Sequence, residues 1–307
     1  MTHPNSVVLG TRGSKLALVQ AEHCAEKLRM AGTDVEIRVI KTTSEHHPEV
    51  PLSVIDQRDV FTRQLDEALL SGEIHLAVHS LKDIPTELPE GIKIAAVTER
   101  HDPSDALVSD NFHGVESLPE KAVVATSSLR RRAQLLHHRP DLQIAEIRGN
   151  VDTRIRKMRE GQADALVLAR AGLERLGLDV PHTVIPPETI LPAVGQGALA
   201  VAALESYPET ESVRAALNHE ATEQAVLAER AMLRTLEGGC RVPVGGQGLV
   251  EGDRLRLRGV VASPDGMLMY KGEVEGEAPA DVGERLAREL LEKGAAVILD
   301  EIREVRA

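Results

Sequence analysis

Short apolar, β-branched runs alternate along the chain with segments whose apolar residues recur at helical spacing. Val7-Val8-Leu9, Val35 to Ile40, Ile74 to Val78, Ala122 to Ala125, Gln143 to Ile147 and Ala165 to Leu168 read as strands. Between them, Leu16 to Ala31, Phe61 to Leu70, Leu129 to His138 and Val151 to Glu160 carry the period of helices. This alternation predicts βαβ units and mostly parallel sheets. After Glu220 the pattern changes to a helix through Arg234, a glycine-rich turn, two alternating strands (Arg254 to Val261 and Leu268 to Val274) and a last helix from Val282 to Lys293. The tail is therefore expected to be a separate α+β domain. No internal repeat, low-complexity tract or long Ser/Gly linker interrupts this order.

Composition narrows the ligands. The chain has 307 residues, 42% hydrophobic and 27% charged, enough for two or three domains with packed cores. Thirty-six Lys and Arg against 48 Asp and Glu leave a net charge of −12, which argues against a nucleic-acid coat or an anionic-membrane binder. An anionic ligand must then meet a local basic patch, and one exists. From Lys121 to Glu160, ten basic residues face four acidic ones, a net +6. Four aromatic residues and no Trp argue against base stacking. Two cysteines are too few for a disulfide framework, and Met-Thr-His-Pro-Asn-Ser at the start lacks the basic opening and apolar run of an export signal. No apolar stretch reaches the ~20 residues of a membrane helix, so a soluble, cytoplasmic protein is expected.

Three segments share the order strand, small polar turn, helix with arginine nearby: Gly10-Thr11-Arg12-Gly13-Ser14, Thr126-Ser127-Ser128-Leu129-Arg130-Arg131 and Arg148-Gly149-Asn150-Val151-Asp152-Thr153-Arg154. In open α/β sheets, ligands bind beyond the carboxyl ends of strands, where helix N-termini offer free N–H groups. Three such turns predict a multi-point receptor for anions, and arginine's planar fork favours carboxylates. The alternative is a pair of solvated basic helix faces. None of the turns is a Walker loop or a GxGxxG fingerprint.

Lys82 and Asp83 end the strand Ile74 to Val78 and precede Ile84-Pro85; they read either as a proton-handling pair for a cationic substrate or as a strand-end ion pair. Cys24 shares a helix face with Gln20, Ala21 and Leu28 and reads as a core residue. Cys240 lies among Gly238, Gly239, Arg241, Gly245 and Gly246, a setting that suits either an exposed reactive sulfur or a loop cysteine without a role. The twelve histidines show no zinc-ligand spacing, so no metal is expected.

Together with Val78-His79-Ser80-Leu81-Lys82-Asp83-Ile84-Pro85, Ala171-Gly172-Leu173-Glu174-Arg175-Leu176-Gly177, Leu191-Pro192-Ala193-Val194-Gly195-Gln196-Gly197 and Glu237-Gly238-Gly239-Cys240-Arg241-Val242-Pro243, these turns stand in the order seen in the porphobilinogen deaminase family. The chain resembles that family from Val7 to Ile302. The resemblance implies two doubly wound α/β domains like those of periplasmic binding proteins, at 1–98 with 199–219 and at 99–198, plus a small α+β domain at 220–307. It also implies a transferase that deaminates four porphobilinogens and joins them head to tail into hydroxymethylbilane. Cys240 would carry a dipyrromethane cofactor through a thioether, and Asp83 would be catalytic. Lys82, Ser128, Arg130, Arg131, Arg148 and Arg154 would hold the cofactor, and Arg12, Ser14 and Arg175 the substrate. A monomer with no nucleic-acid or membrane partner is expected.

Two departures from the family pattern stand out. Asp56-Gln57-Arg58-Asp59-Val60 precedes Phe61 where the family has a glycine-rich, lysine-bearing lid segment, and Ala198-Leu199-Ala200-Val201-Ala202 lacks a frequent glutamate. The altered lid keeps one alternative open, a degenerate deaminase that binds anions but turns over poorly. A pure binding module, which needs no reactive cysteine, and a thiol hydrolase using Cys240 are the other readings.

Overall fold

The computed structural model describes residues 6–41, 62–236 and 242–304. Cys240 and the departing segment Asp56 to Phe61 lie outside the described residues. Contacts divide the chain into two units, Met1–His101 with Ala198–Glu223 and Asp102–Gly197 with Gln224–Ala307. The segments 99–198 and 220–307, expected as separate domains, thus fall largely within one unit, although each keeps its own sheet and core.

In the first unit the chain runs β1 (Val7–Thr11), α1 (Lys15–Met30), β2 (Val35–Val39), α2 (Arg63–Leu70), β3 (Leu76–Ser80) and β4 (Ile92–Val97). The second unit follows with β5 (Asp105–Val108), β6 (Val123–Ala125), α3 (Leu129–His138), β7 (Gln143–Ala145), α4 (Val151–Lys157), β8 (Ala165–Ala169), α5 (Arg170–Arg175) and β9 (His182–Ile185). The first sheet is then completed by β10 (Leu199–Leu204), followed by α6 (Thr210–Leu217) and α7 (Glu220–Thr235). Its strand order is β2-β1-β3-β10-β4, and that of the second sheet is β7-β6-β8-β5-β9. The two orders are equivalent position by position. In each, one strand taken from elsewhere in the chain, β10 or β5, runs antiparallel to both neighbours.

Both sheets bury both faces, as the near-continuous apolar runs require. In the first, Leu9, Leu76, Val78 and Val201 pack with Ala21, Cys24 and Leu28 of α1 and with Val213 and Leu217 of α6, while Val8, Ala77 and Ala202 meet Leu65 and Leu69 of α2. Cys24 is a fully buried core residue, as its helix face predicted. In the second, Val124 and Val167 pack on Leu135 of α3, and Ala125, Leu166 and Leu168 on Ile155 of α4 and Leu173 of α5.

The third sheet is antiparallel: β11 (Val244–Glu251), β12 (Arg254–Ala262) and β13 (Met269–Gly276), backed by α8 (Pro279–Leu290) and α9 (Ala296–Glu304). Of the glycine-rich run expected to be a turn, residues 237–241 lie outside the described residues, while Val244, Gly245 and Gly246 open the strand β11. Its glycines serve close packing, because a Cβ on Gly245 would stand 2.8 Å from the Leu191 carbonyl oxygen and one on Gly248 2.8 Å from that of Ala225. The helix expected over Val282 to Lys293 is not the last: the chain turns at Gly294, whose φ of +119° no β-carbon residue adopts readily, and a further helix, α9, follows.

Candidate active site

In the first unit, β1 and β3 are parallel neighbours, so their carboxyl ends lie side by side. After β1, the buried Thr11 hydroxyl donates to the Ala17 carbonyl, and Ser14 caps α1 by accepting from the Ala17 N–H at 3.3 Å. These bonds fix the turn that carries Arg12. After β3, a 3₁₀ turn over Leu81–Asp83 presents Lys82 and Asp83, both half-buried. The amide of Gln20 on α1 donates to the Ser80 hydroxyl at 2.9 Å and so ties the helix to this strand end. Arg12 Nη2 stands 3.6 Å from Asp83 Oδ2, with side chains 20% and 26% exposed. An ion pair of that length and exposure contributes under about 1 kcal/mol, so a ligand can open it. Beside them in β3, His79 is buried; desolvation, then the charge of Arg12, lowers its pKa to about 3 and keeps the imidazole neutral.

In the second unit, β7, β6 and β8 are adjacent and parallel, and the two arginine turns follow the carboxyl ends of β6 and β7. Ser128 caps α3, accepting from the Arg131 N–H, which places Arg130 and Arg131 in the first helical turn. Ser127 donates to the Ile147 carbonyl at 2.6 Å and accepts from the Ile147 N–H, which joins this turn to the one carrying Arg148. Gly149 has φ +114°, and a Cβ there would stand 2.7 Å from Thr153 Cγ2. Arg154 Nε donates to the Gly149 carbonyl at 2.7 Å, and Arg148 stands 3.7 Å from Glu146. Arg175, at the end of α5, donates to the Gly197 carbonyl at 2.7 Å.

Arg130 and Arg131 depart from the picture of open receptor arginines. Both are buried, and both clamp Asp105, which is 0% exposed. Arg130 Nη1 donates to Asp105 Oδ2 at 2.8 Å and to the Leu191 carbonyl at 2.6 Å. Arg131 donates through Nε and Nη2 to Asp105 Oδ1 at 3.1 and 2.7 Å, and through Nη1 to the Val167 carbonyl at 3.1 Å. Burial pushes the Asp105 carboxyl up, but the two guanidiniums outweigh it and hold the group far below the usual carboxylate range. Burial in turn lowers the Arg130 pKa against the pull of Asp105.

The structure therefore brings together Arg12, Ser14, Lys82 and Asp83 in one unit, and Ser128, Arg130, Arg131, Arg148, Arg154 and Arg175 in the other. Asp105, Gln196, Ser127 and His79 went unmarked as site residues. Asp105 opens an ordinary apolar run, Asp105-Ala106-Leu107-Val108, and nothing local signals that β5 lies beside β8, near Arg131. Among the described residues no group of three or more His, Cys, Asp or Glu could hold a metal ion.

Comparison with known proteins places this arrangement. Residues 7–212 match the family described as porphobilinogen deaminase, dipyromethane cofactor binding domain, and residues 223–292 match porphobilinogen deaminase, C-terminal domain. A porphobilinogen deaminase of Rubrobacter xylanophilus is 67% identical over 300 residues, covering 98% of each chain. One from Syntrophomonas wolfei is 47% identical, covering 96% of this chain and 98% of the other, and one from Bacillus subtilis is 43% identical, covering 97% and 96%. With both family domains matched in order and relatives aligned along nearly their whole length, the chain belongs to the porphobilinogen deaminase family.

Proposed function

We propose that this chain is a hydroxymethylbilane synthase, which removes ammonia from four porphobilinogen molecules and joins them head to tail in tetrapyrrole and haem biosynthesis. The observation that carries this reading is a division of labour at the strand ends: arginine turns suited to carboxylates, and a separate half-buried carboxylate, Asp83, loosely paired with Arg12.

The residues present fit a dipyrromethane cofactor. Its acetate and propionate groups need convergent cationic donors, and the second unit supplies them after two neighbouring strand ends: Arg130 and Arg131, buried, after β6, and Arg148 and Arg154, partly exposed, after β7. Lys82, Ser128, Arg130, Arg131, Arg148 and Arg154 would hold those groups, with the Cys240 sulfur as the attachment atom. When bound, the cofactor supplies the terminal pyrrole to which the first substrate unit is joined.

Arg12, Ser14 and Arg175 would orient the two carboxylates of the incoming porphobilinogen. As ammonia leaves, positive charge develops on the pyrrole, and the Asp83 carboxylate stabilises it. The substrate's amine leaves as ammonia from its ammonium form, so the positive charge stays on the pyrrole, and the Asp83 carboxylate takes up the proton that the ring carbon releases when the new carbon–carbon bond restores the aromatic ring. The neighbouring Arg12 holds the carboxylate in place without consuming all its acceptor sites.

The degenerate alternative is not favoured, since the relatives carrying the deaminase name align along nearly the whole chain. The enzyme is proposed to act as a cytoplasmic monomer without nucleic-acid or membrane partners. Its net charge of −12 argues against nucleic-acid and anionic-membrane partners, and among the described residues no helix is long and apolar enough to cross a membrane. Incubation with porphobilinogen tests the function: ammonia should be released as pyrrole is consumed, and porphyrin absorbance should follow cyclisation and oxidation. Tight binding without ammonia release would instead make the protein a receptor.

A further inference from the structure

We propose that Asp105 is a positioning residue that aims Arg130 and Arg131 at the ligand's carboxylates, with Gln196 holding Asp105 in turn. The proposal rests on the functional reading above and extends it to residues that contact no ligand themselves.

Two arginines at consecutive positions in the first turn of α3 repel each other, and the positive end of the helix dipole opposes both. They are nevertheless 5% and 7% exposed. Asp105 makes this arrangement possible. It begins β5, the antiparallel strand beside β8, so its carboxylate is anchored by the sheet. Its Oδ2 accepts from Arg130, and its Oδ1 accepts from Arg131 Nε, Arg131 Nη2 and Gln196 Nε2, the last at 2.8 Å. Gln196 also donates to the Pro103 carbonyl at 2.6 Å, which fixes its amide. Four donors fill about the four lone-pair sites of a carboxylate, so Asp105 has no capacity left to take a proton or a substrate.

What Asp105 leaves free matters more than what it binds. The bonds to described residues use only Nη1 of Arg130, so its Nε and Nη2 keep their N–H groups for a ligand in a fixed plane. Arg131 is gripped along its Nε edge and retains one N–H on each terminal nitrogen. Two cations and one anion leave a net +1, matched to a single carboxylate. The site loop is braced as well: the buried Glu229 on α7 accepts from the Gly195 N–H at 2.7 Å, one residue from Gln196.

Asp105→Asn keeps the shape, halves the acceptor capacity and turns an amide toward the guanidiniums. The test is intact mass spectrometry of the purified full chain with a thermal melt of the same sample. The fraction carrying the mass of two pyrrole units should fall at least about tenfold, the factor one lost charge-assisted bond produces, while the melt stays cooperative. Asp110→Asn, which removes an exposed partner of Arg159 at 2.9 Å, should leave the fraction unchanged. If Asp105→Asn does not fold, Gln196→Leu decides, and a reduced fraction in folded protein supports the proposal. A folded variant with full mass addition and only a lowered melting temperature would overturn it, making Asp105 a purely structural pair. Absence of the addition from the unaltered chain would instead defeat the functional reading.

Discussion

In the first sheet, Arg12 meets Asp83 at 3.6 Å with both side chains partly exposed; in the second, Arg130 and Arg131 clamp a fully buried Asp105 at 2.8 and 2.7 Å. The strand orders are equivalent, and in both a serine caps the helix that follows the second strand of the order, β1 or β6. Even the strand ends correspond, since β3 runs into Lys82 and Asp83 where β8 runs into Arg170, itself pinned to Asp102 at 2.6 Å. One framework thus supports two uses of an acid beside arginine. A half-buried, loosely paired carboxylate remains available for chemistry, whereas a fully buried, saturated one can only orient its partners, and removing it would cost about 3 to 5 kcal/mol.

The sharpest break between the units concerns their cysteines. Cys240→Ser should abolish both the mass addition and turnover, while Cys24→Ser, in the first sheet's core, should keep both; intact mass and ammonia release decide. Next in size are the arginines. Arg130→Leu, Arg148→Leu and Arg154→Leu each remove a charge-assisted contact of roughly 1.5 to 3 kcal/mol, or about 10- to 100-fold in binding. Reconstitution with cofactor precursor should show this loss, and wild-type behaviour in all three would sink the carboxylate receptor.

Acid should weaken the first sheet before the second. His79 is held neutral down to about pH 3 when folded but titrates near 6.5 when unfolded, so stability is lost as pH falls below 6.5. Between pH 6.5 and 5 this amounts to about 2 kcal/mol. Asp66, raised by burial to about 6 from 3.8, acts with the opposite sign and loses its contribution as pH rises through 6. The comparison of wild type with His79→Leu isolates the histidine: melts at pH 7 and pH 5 should show a smaller drop in the variant. In the second sheet Asp105, already depressed, adds its slope only as pH falls below the ordinary 3.8. The smallest effect is expected at Gly149→Ala, where the positive φ and the contact with Thr153 should cost roughly 1 to 2 kcal/mol, read as a lower melting temperature.

The helices and strands with clean periodicity were legible in the sequence, among them β1, α1, β2, β3 and α3. So were the turns that carry Arg12, Ser128 and Arg148, because a strand followed by small polar residues and a helix is a local signal. The antiparallel strand β5 was not, since four residues starting with an acid resemble any loop edge. Strand β11 was hidden by its own glycines, which are read locally as turn residues but are required by backbone atoms of Leu191 and Ala225 far away in sequence. For the same reason Arg130 and Arg131 were legible as site residues while their buried counter-ion was not. A charge-bearing pattern is local, whereas the acid that aims it comes from 25 residues away.

The distinction between the two acids is tested most directly on Asp83→Asn, by intact mass and by ammonia release from porphobilinogen measured on one preparation. The predicted result is a folded protein with the full two-pyrrole mass addition and turnover reduced by orders of magnitude, with Asp83→Glu falling between it and wild type. Near-normal ammonia release by the Asn variant, or loss of its mass addition, would contradict the assignment of chemistry to Asp83.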